Sequence, residues 1–196
     1  TDAIASQIQM VQELLTKDFA YVTDEAIYFD VTKLPDYGML SGQKLADKQV
    51  GARDEVVTET NKRNPQDFAV WFFTVGHFAD HQMHWDSPWG QGFPGWHLEC
   101  SAIIEQSLGK TIDIHTGGID NLGTHHVNEM AQSEAAHDGA PLANYWMHVL
   151  HLHVDGTKMS KSLGNFYTLS DLTEKGYSPL AFRLMMLQAH YRSELN

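Results

Sequence analysis

From Asp67 onward the chain alternates apolar, strand-length runs with amphipathic ones, and this alternation constrains its fold more than any other feature. Asp67 to Phe73 is a short, strongly apolar strand. A loop rich in Trp, Pro and Gly follows from Trp85 to Pro94. Residues 97–108 read as a helix, and Thr111 to His115 as a buried strand ending at Thr116-Gly117-Gly118. A second helix runs from about Thr124 to Ala136, and a further strand covers Tyr145–Val154. Strand, helix, strand, helix, strand in this order predicts a parallel, doubly wound sheet, whose ligand sites lie beyond the carboxyl ends of the strands. His115 to Gly118 stands at such an end.

The first 70 residues have a different character. Ile4, Ile8, Val11 and Leu15 recur at helical spacing, which predicts an amphipathic helix over 3–17 with Asp2 available as its cap. Ala20-Tyr21-Val22 and Ala26 to Val31 flank Asp24-Glu25 as a β-hairpin. Pro35-Asp36-Tyr37-Gly38 is a turn, and 42–66 is a polar stretch broken by Gly51, Asn64 and Pro65. Past Leu169, Pro179 opens a helix with Leu180, Leu184, Leu187 and Tyr191 along one side.

Composition narrows the partners. The 196 residues carry a net charge of −12, which is not the footprint of a nucleic-acid-binding surface. No apolar run approaches membrane-spanning length and no basic-then-apolar leader opens the chain, so the expectation is a soluble, cytoplasmic protein. The single cysteine, Cys100, excludes an internal disulfide framework and is either core filler or a functional thiol. The 12 histidines, several of them between His77 and His153, point toward metal or phosphate chemistry.

Two constellations carry that chemistry. Lys158-Met159-Ser160-Lys161-Ser162 follows Val154-Asp155-Gly156-Thr157, and its two lysines can close over a polyphosphate as mobile point charges. His125 and Glu129 lie four residues apart, on one face of the predicted helix. With Cys100 they make a thiolate–imidazole–carboxylate set, one ligand short of a tetrahedral zinc site. Core filler and a surface His–Glu contact are the competing readings.

The lysine loop resembles the second ATP-binding motif of class I aminoacyl-tRNA synthetases. Gly95-Trp96-His97-Leu98-Glu99-Cys100-Ser101-Ala102, Asp113-Ile114-His115-Thr116-Gly117-Gly118-Ile119-Asp120, His125-His126-Val127-Asn128-Glu129 and Lys158 to Ser162 stand in the order and spacing of cysteinyl-tRNA synthetases. Trp85-Asp86-Ser87-Pro88-Trp89-Gly90, Tyr145-Trp146-Met147-His148 and Ser162-Leu163-Gly164-Asn165-Phe166 agree too. The resemblance covers essentially the whole chain.

It implies the C-terminal half of a doubly wound parallel, Rossmann-like nucleotide-binding domain with an α+β insert. The expected division is an insert over 1–70, the catalytic half over 71–166, and the start of a helical, stem-contacting region over 167–196. It further implies one zinc ion on Cys100, His125, Glu129 and a cysteine upstream of Thr1, with ATP and Mg²⁺ as substrate. Lys158, Lys161 and His115 would be catalytic, and Lys161, Gly117, Gly118 and Asp120 would bind ATP. Trp96 would line the cysteine pocket, and Asp120 would bind either the substrate amine or a ribose hydroxyl. His97 and His126 receive no role, and His77, His81, His84, His151 and His153 are ordinary. The implied reaction is ATP-dependent activation of cysteine and its transfer to tRNA(Cys), by a parent that is monomeric.

The chain departs from the family pattern in places. Thr116 replaces a glycine, Gly123-Thr124 replaces Phe-Pro, Val127 stands for Glu, and Phe72 for a common lysine. Thr124 rather than proline then caps the helix. The His-Ile-Gly-His motif and the anticodon-reading domain are not in these residues, so the excerpt alone is expected to be inactive. The alternatives are the cysteine:glucosaminyl-inositol ligase of mycothiol biosynthesis and a non-catalytic zinc-binding paralogue.

Overall fold

A computed structural model of the protein describes residues 2–43 and 62–196, which form two compact units. Most of the polar stretch expected over 42–66 lies outside the described residues. Among the described residues, the first unit comprises 2–43, 62–115 and 121–145, and the second 116–120 and 146–196.

In the first unit, helix α1 (Ile4–Thr16) buries Gln7, Met10, Val11 and Leu14, with Ile4, Ile8 and Leu15 at the margins of that stripe. Asp2 does not cap it. The N-cap is Ala3, which offers no side-chain acceptor, so packing rather than capping holds this end. The chain then turns through Asp18 (φ 62°) into the expected hairpin, β1 (Ala20–Val22) and β2 (Ala26–Phe29), before a short 3₁₀ turn starts at Val31.

The sheet that follows differs from expectation. Its strand order is β1-β2-β3-β5-β4, with β3 (Phe68–Phe73), β4 (Trp85–Ser87) and β5 (Gly90–Pro94), and each neighbouring pair of strands in it is antiparallel. Thus Trp85 to Pro94 is a hairpin, not a loop. Its turn is tied by the Ser87 hydroxyl donating to the Gly90 carbonyl, and Phe93 stacks on Phe72 of β3 with ring centroids 5.1 Å apart. The run 67–73 likewise opens no parallel sheet, because β2 and β5 flank it antiparallel on both edges.

At the start of β3 the buried carboxylate of Asp67 accepts from the Tyr21 hydroxyl (2.7 Å), the Val31 amide (3.0 Å) and the Asn64 amide (3.0 Å). It thereby joins three chain segments in one polar knot. Burial pushes the Tyr21 hydroxyl well above its ordinary pKa, with the bond to Asp67 adding to the rise.

Helix α2 (Trp96–Leu108) begins directly after β5. A Cβ on Gly95 would meet the Ala69 carbonyl oxygen at 2.1 Å, so only glycine lets the helix start this close to β3. Helix α4 (His125–Ala136) packs against α1 and α2, and all its residues except Met130 and Glu134 are buried. Thr124 occupies its N-cap position, yet the threonine side chain makes no capping bond; the Asn128 amide donates to the Thr124 carbonyl instead. Trp71, Phe29, Ile27, Leu98 and Val127 fill the core between sheet and helices.

Strands β6 (Ile112–Gly118) and β7 (Ala143–Val149) form a two-stranded sheet, and the division between units falls within both. The strand expected to be buried here is not. None of β6 is fully buried and Ile114 is 59% exposed, because a two-stranded ribbon covers few of its own side chains. The strand also continues through Gly117 and Gly118 and passes into the one-turn α3 (Ile119–Leu122).

In the second unit, the strand expected over Tyr145–Val154 is interrupted after Val149. A separate hairpin pairs β8 (His153–Val154) with β9 (Thr157–Lys158). Asp155 (φ 52°) and Gly156 (φ 73°) form its two-residue turn, the left-handed pair such hairpins require. Helix α5 (Leu169–Glu174) starts with a reciprocal Thr168–Asp171 capping box. Helix α6 (Pro179–Gln188) starts as expected at Pro179, with the Ser178 hydroxyl accepting from the Leu180 amide. No described helix is long and apolar enough to cross a membrane.

Candidate functional site

The first unit gathers a histidine-rich cluster where α2 and α4 meet. One helical turn on α4 supplies His125, His126, Asn128 and Glu129, all buried, and Glu129 is 0% exposed. Facing them, α2 contributes Trp96, His97 and Cys100, while His115 comes from β6. Ligand atoms of Cys100, His125 and Glu129 lie within 4.8 Å of one another. So do those of His115, His126 and Glu129.

Glu129 is shared by both sets, and its two oxygens have different surroundings. Oε2 faces three imidazoles: His115 Nε2 at 3.0 Å, His125 Nε2 at 3.5 Å and His126 Nε2 at 3.8 Å. Oε1 is buried with no hydrogen-bond partner. An uncompensated buried carboxylate oxygen costs on the order of several kcal/mol, and a divalent cation is one group that offsets this.

The thiol of Cys100 has the same requirement. Burial pushes its pKa up to about 11, and the nearby carboxylates of Glu129 and Glu99 add to the rise. Without a cation it stays a thiol at neutral pH; beside one it becomes a thiolate ligand. Burial also holds His125 below the ordinary imidazole pKa, against the pull of Glu129, which keeps the ring neutral and able to ligate. A sulfur, a nitrogen and an oxygen donor on rigid helices therefore fit a zinc-type ion.

Trp96, the first residue of α2, is 55% exposed, and its ring centroid lies 4.3 Å from that of His125. A large aromatic surface is thus left open beside the cluster. His97 and His126, given no role from sequence, are integral to it. His97 contacts His125 (Nδ1 to Nδ1, 2.9 Å) and Asn128 (3.0 Å), and the ring of His126 lies 4.6 Å from that of His115. The signal for them was adjacency: each stands next to Trp96 or His125 in the chain, but only the α2–α4 packing turns adjacency into contact.

The remaining predicted positions belong to the second unit. Gly117 and Gly118 end β6, and Asp120 is exposed in α3. Lys158 is exposed in β9. Lys161 is exposed in the following turn, its Nζ 5.6 Å from the centroid of the Phe166 ring. Asn165 was missed: its Oδ1 accepts from the Ser160 amide (2.9 Å) and its Nδ2 donates to the Lys158 carbonyl (3.2 Å). One side chain thus staples both sides of the lysine loop.

The family model for the catalytic domain of class I (C) tRNA synthetases matches residues 1–196. Among curated relatives, the chain is 48% identical over its full length to a cysteine--tRNA ligase of a Cyanothece species, covering 40% of that protein. It is 50% identical, again over its full length, to the cysteine--tRNA ligase of Protochlamydia amoebophila, covering 41% of it. A third, from Hyphomonas neptunium, is 48% identical with 41% covered. The chain spans about two-fifths of the length of these relatives. Motifs, cluster and comparisons agree: the chain belongs to the catalytic-domain family of class I (C) tRNA synthetases.

Proposed function

We propose that the full-length protein is a cysteine--tRNA ligase, activating cysteine with ATP and transferring the cysteinyl group to the 3′ end of tRNA(Cys). The observation that carries this reading is the convergence of Cys100, His125 and Glu129 within 4.8 Å, around a buried carboxylate oxygen without a partner. Those three residues would hold zinc, joined by a cysteine from outside this chain. Bound there, zinc supplies a soft Lewis acid for a substrate thiolate, which a serine hydroxyl does not match.

The chain's own residues divide the remaining work. Trp96 lines the cysteine pocket with its exposed face. Asp120 takes the substrate amine or a ribose hydroxyl, and the strand-end Gly117 and Gly118 let backbone approach the nucleotide. His115 contacts the forming adenylate while its Nε2 hydrogen bond to Glu129 fixes its ring. Lys158 and Lys161 neutralise the phosphates of Mg²⁺-bound ATP as pyrophosphate departs, Lys161 carrying more of this.

In this reading β6 and β7 belong to a doubly wound parallel nucleotide-binding sheet completed by segments outside this chain. Residues 1–70 act as a connective insert, 71–166 as the second catalytic half, and 167–196 begin the helical region that meets the tRNA stem. The net charge of −12 leaves most of the tRNA grip to those other segments. The setting is the cytoplasm, and the parent is monomeric.

The test is charging of labelled cysteine onto tRNA by the full-length protein, together with cysteine-dependent pyrophosphate exchange. Lys161→Ala should slow adenylate formation roughly 10²–10³-fold while leaving cysteine binding nearly intact. Cys100→Ala should abolish cysteine binding. Loss of cysteine binding in Lys161→Ala, or charging by Cys100→Ala at the wild-type rate, contradicts the assigned roles.

A further inference from the structure

Every residue from Lys161 to Ser170 is exposed except Asn165. Its carboxamide is engaged on both sides with the backbone of the lysine loop. Oδ1 accepts from the Ser160 amide at 2.9 Å, and Nδ2 donates to the Lys158 carbonyl at 3.2 Å. A backbone amide only donates and a backbone carbonyl only accepts, so these two partners fix which way the carboxamide faces.

The rest of the loop is built around this tie. On the strand side, the Met159 amide donates to the Leu152 carbonyl (2.9 Å). On the other side, the Gly164 amide donates to the Lys161 carbonyl (3.2 Å), closing a turn that ends with Gly164 in the left-handed region (φ 69°). The Asn165 side chain then closes the ring from Ser160 to Asn165. Lys158 is held through its own carbonyl, and Lys161 through the peptide of Ser160 before it. Both lysines are exposed, so their side chains keep their reach while the backbone beneath them is fixed.

We propose that Asn165 is a positioning residue for adenylate formation, setting the separation and direction from which Lys158 and Lys161 reach the phosphates. This rests on the reading of those lysines as the phosphate-binding groups. In that step a carboxylate oxygen of cysteine bonds to the α-phosphorus while the bond to the bridging oxygen breaks. Pyrophosphate leaves with that electron pair, and negative charge grows on it. Two cations already in place lower this barrier more than two that must be gathered.

A loop that holds the productive arrangement for only part of the time works at that fraction of its rate. Asparagine suits the tie because one short planar group offers both a donor and an acceptor. Aspartate supplies only the acceptor, and alanine neither. Two hydrogen bonds at the surface add little to global stability, so the effect of Asn165 falls on rate rather than on folding.

The experiment uses the full-length protein and follows cysteine-dependent exchange of pyrophosphate into ATP, with backbone amide hydrogen exchange as a second readout. Asn165→Ala should lower kcat for pyrophosphate exchange roughly 10-fold, while KM for cysteine and the urea midpoint keep their wild-type values. The Ser160 amide should lose protection in Asn165→Ala and regain it in Asn165→Asp, whose kcat should lie between the other two. In a Lys161→Ala background, Asn165→Ala should cost less than it does alone, because part of what it positions is already gone.

A wild-type kcat in Asn165→Ala, beside a slow Lys161→Ala, sinks the positioning role alone. Losses that are fully additive with Lys161→Ala overturn it too. A raised KM for cysteine or a lowered urea midpoint in Asn165→Ala would make the residue merely structural and likewise overturn the proposal. Normal exchange in Lys161→Ala sinks the lysine assignment and the positioning role together. A folded wild-type protein that performs no cysteine-dependent exchange sinks the functional reading and this inference with it.

Discussion

The two units of this protein set their candidate site residues on opposite kinds of ground. In the first, the ligand candidates stand on a helix with nearly every residue buried, fixed by contacts to α1 and α2. In the second, Lys158 and Lys161 are exposed on a hairpin and the turn after it, and neither α5 nor α6 buries a residue fully. Leu180 and Leu187 of α6 are 76% and 71% exposed. Under the proposed function, the contrast suits what each site would do. A selector for one side chain needs donors fixed to within a fraction of an ångström before substrate arrives. A loop that follows departing charge needs reach, and a lysine at an exposed turn has it.

The largest test of this contrast is Trp71→Ala. Trp71 is fully buried in β3 at the centre of the sheet, and its truncation should cost about 3–5 kcal/mol, read as a shift of the urea midpoint with an unchanged slope. A loss under about 1 kcal/mol would mean that the first unit is not the rigid ground described.

The Asp67 knot is next. Asp67→Ala leaves the buried Val31 amide without its acceptor, and frees the Tyr21 hydroxyl and the part-buried Asn64 amide to turn to other partners, at on the order of 1–3 kcal/mol in all. The same urea series measures it. Asp67→Asn, which keeps one acceptor oxygen, should recover part of the loss.

The smallest effect belongs to the second unit. Thr168→Ala should cost about 1 kcal/mol, visible as faster amide exchange in α5 with no change in α4. The Asp171 carboxyl is held below the usual carboxylate range by the Thr168 backbone amide and then by the threonine hydroxyl. A carboxyl with a lowered folded value contributes stability above its unfolded pKa of about 3.9, and that contribution is lost as pH falls through the folded value. Carboxyl NMR should therefore find the Asp171 midpoint below the ordinary one, and closer to it in Thr168→Ala. An unshifted wild-type midpoint would remove the capping box from solution.

Local features of this fold were legible without the structure. The first hairpin and helices α1, α2, α4 and α6 stand close to where periodicity and turn residues put them. The spacing of Thr168 and Asp171 already carries the α5 capping box. What escaped were properties that depend on a neighbour. The alternation after Asp67 fits a parallel sheet as well as an antiparallel one, and the pairing of β3 with β2 and β5 decided between them. Asp2 and Thr124 are good capping residues by type, yet neither side chain caps, because tertiary packing holds those ends.

The candidate site divides the same way. The spacing of His125 and Glu129 on one helical face is a property of the chain alone, since a helix repeats every ~3.6 residues wherever it lies. The order of the motifs that mark the family is likewise written in the residues. Only the packing of α2 against α4 brings Cys100 to that pair, turns His97 toward His125, and strands Glu129 Oε1 without a partner. Tyr37 reaches Asn128 only because the first hairpin, in the same sheet as β3, returns the chain to that face. Sequence determines what lies within one turn of a helix or one hairpin; which distant side chains share a dry space is decided by packing, whose energy no short segment contains.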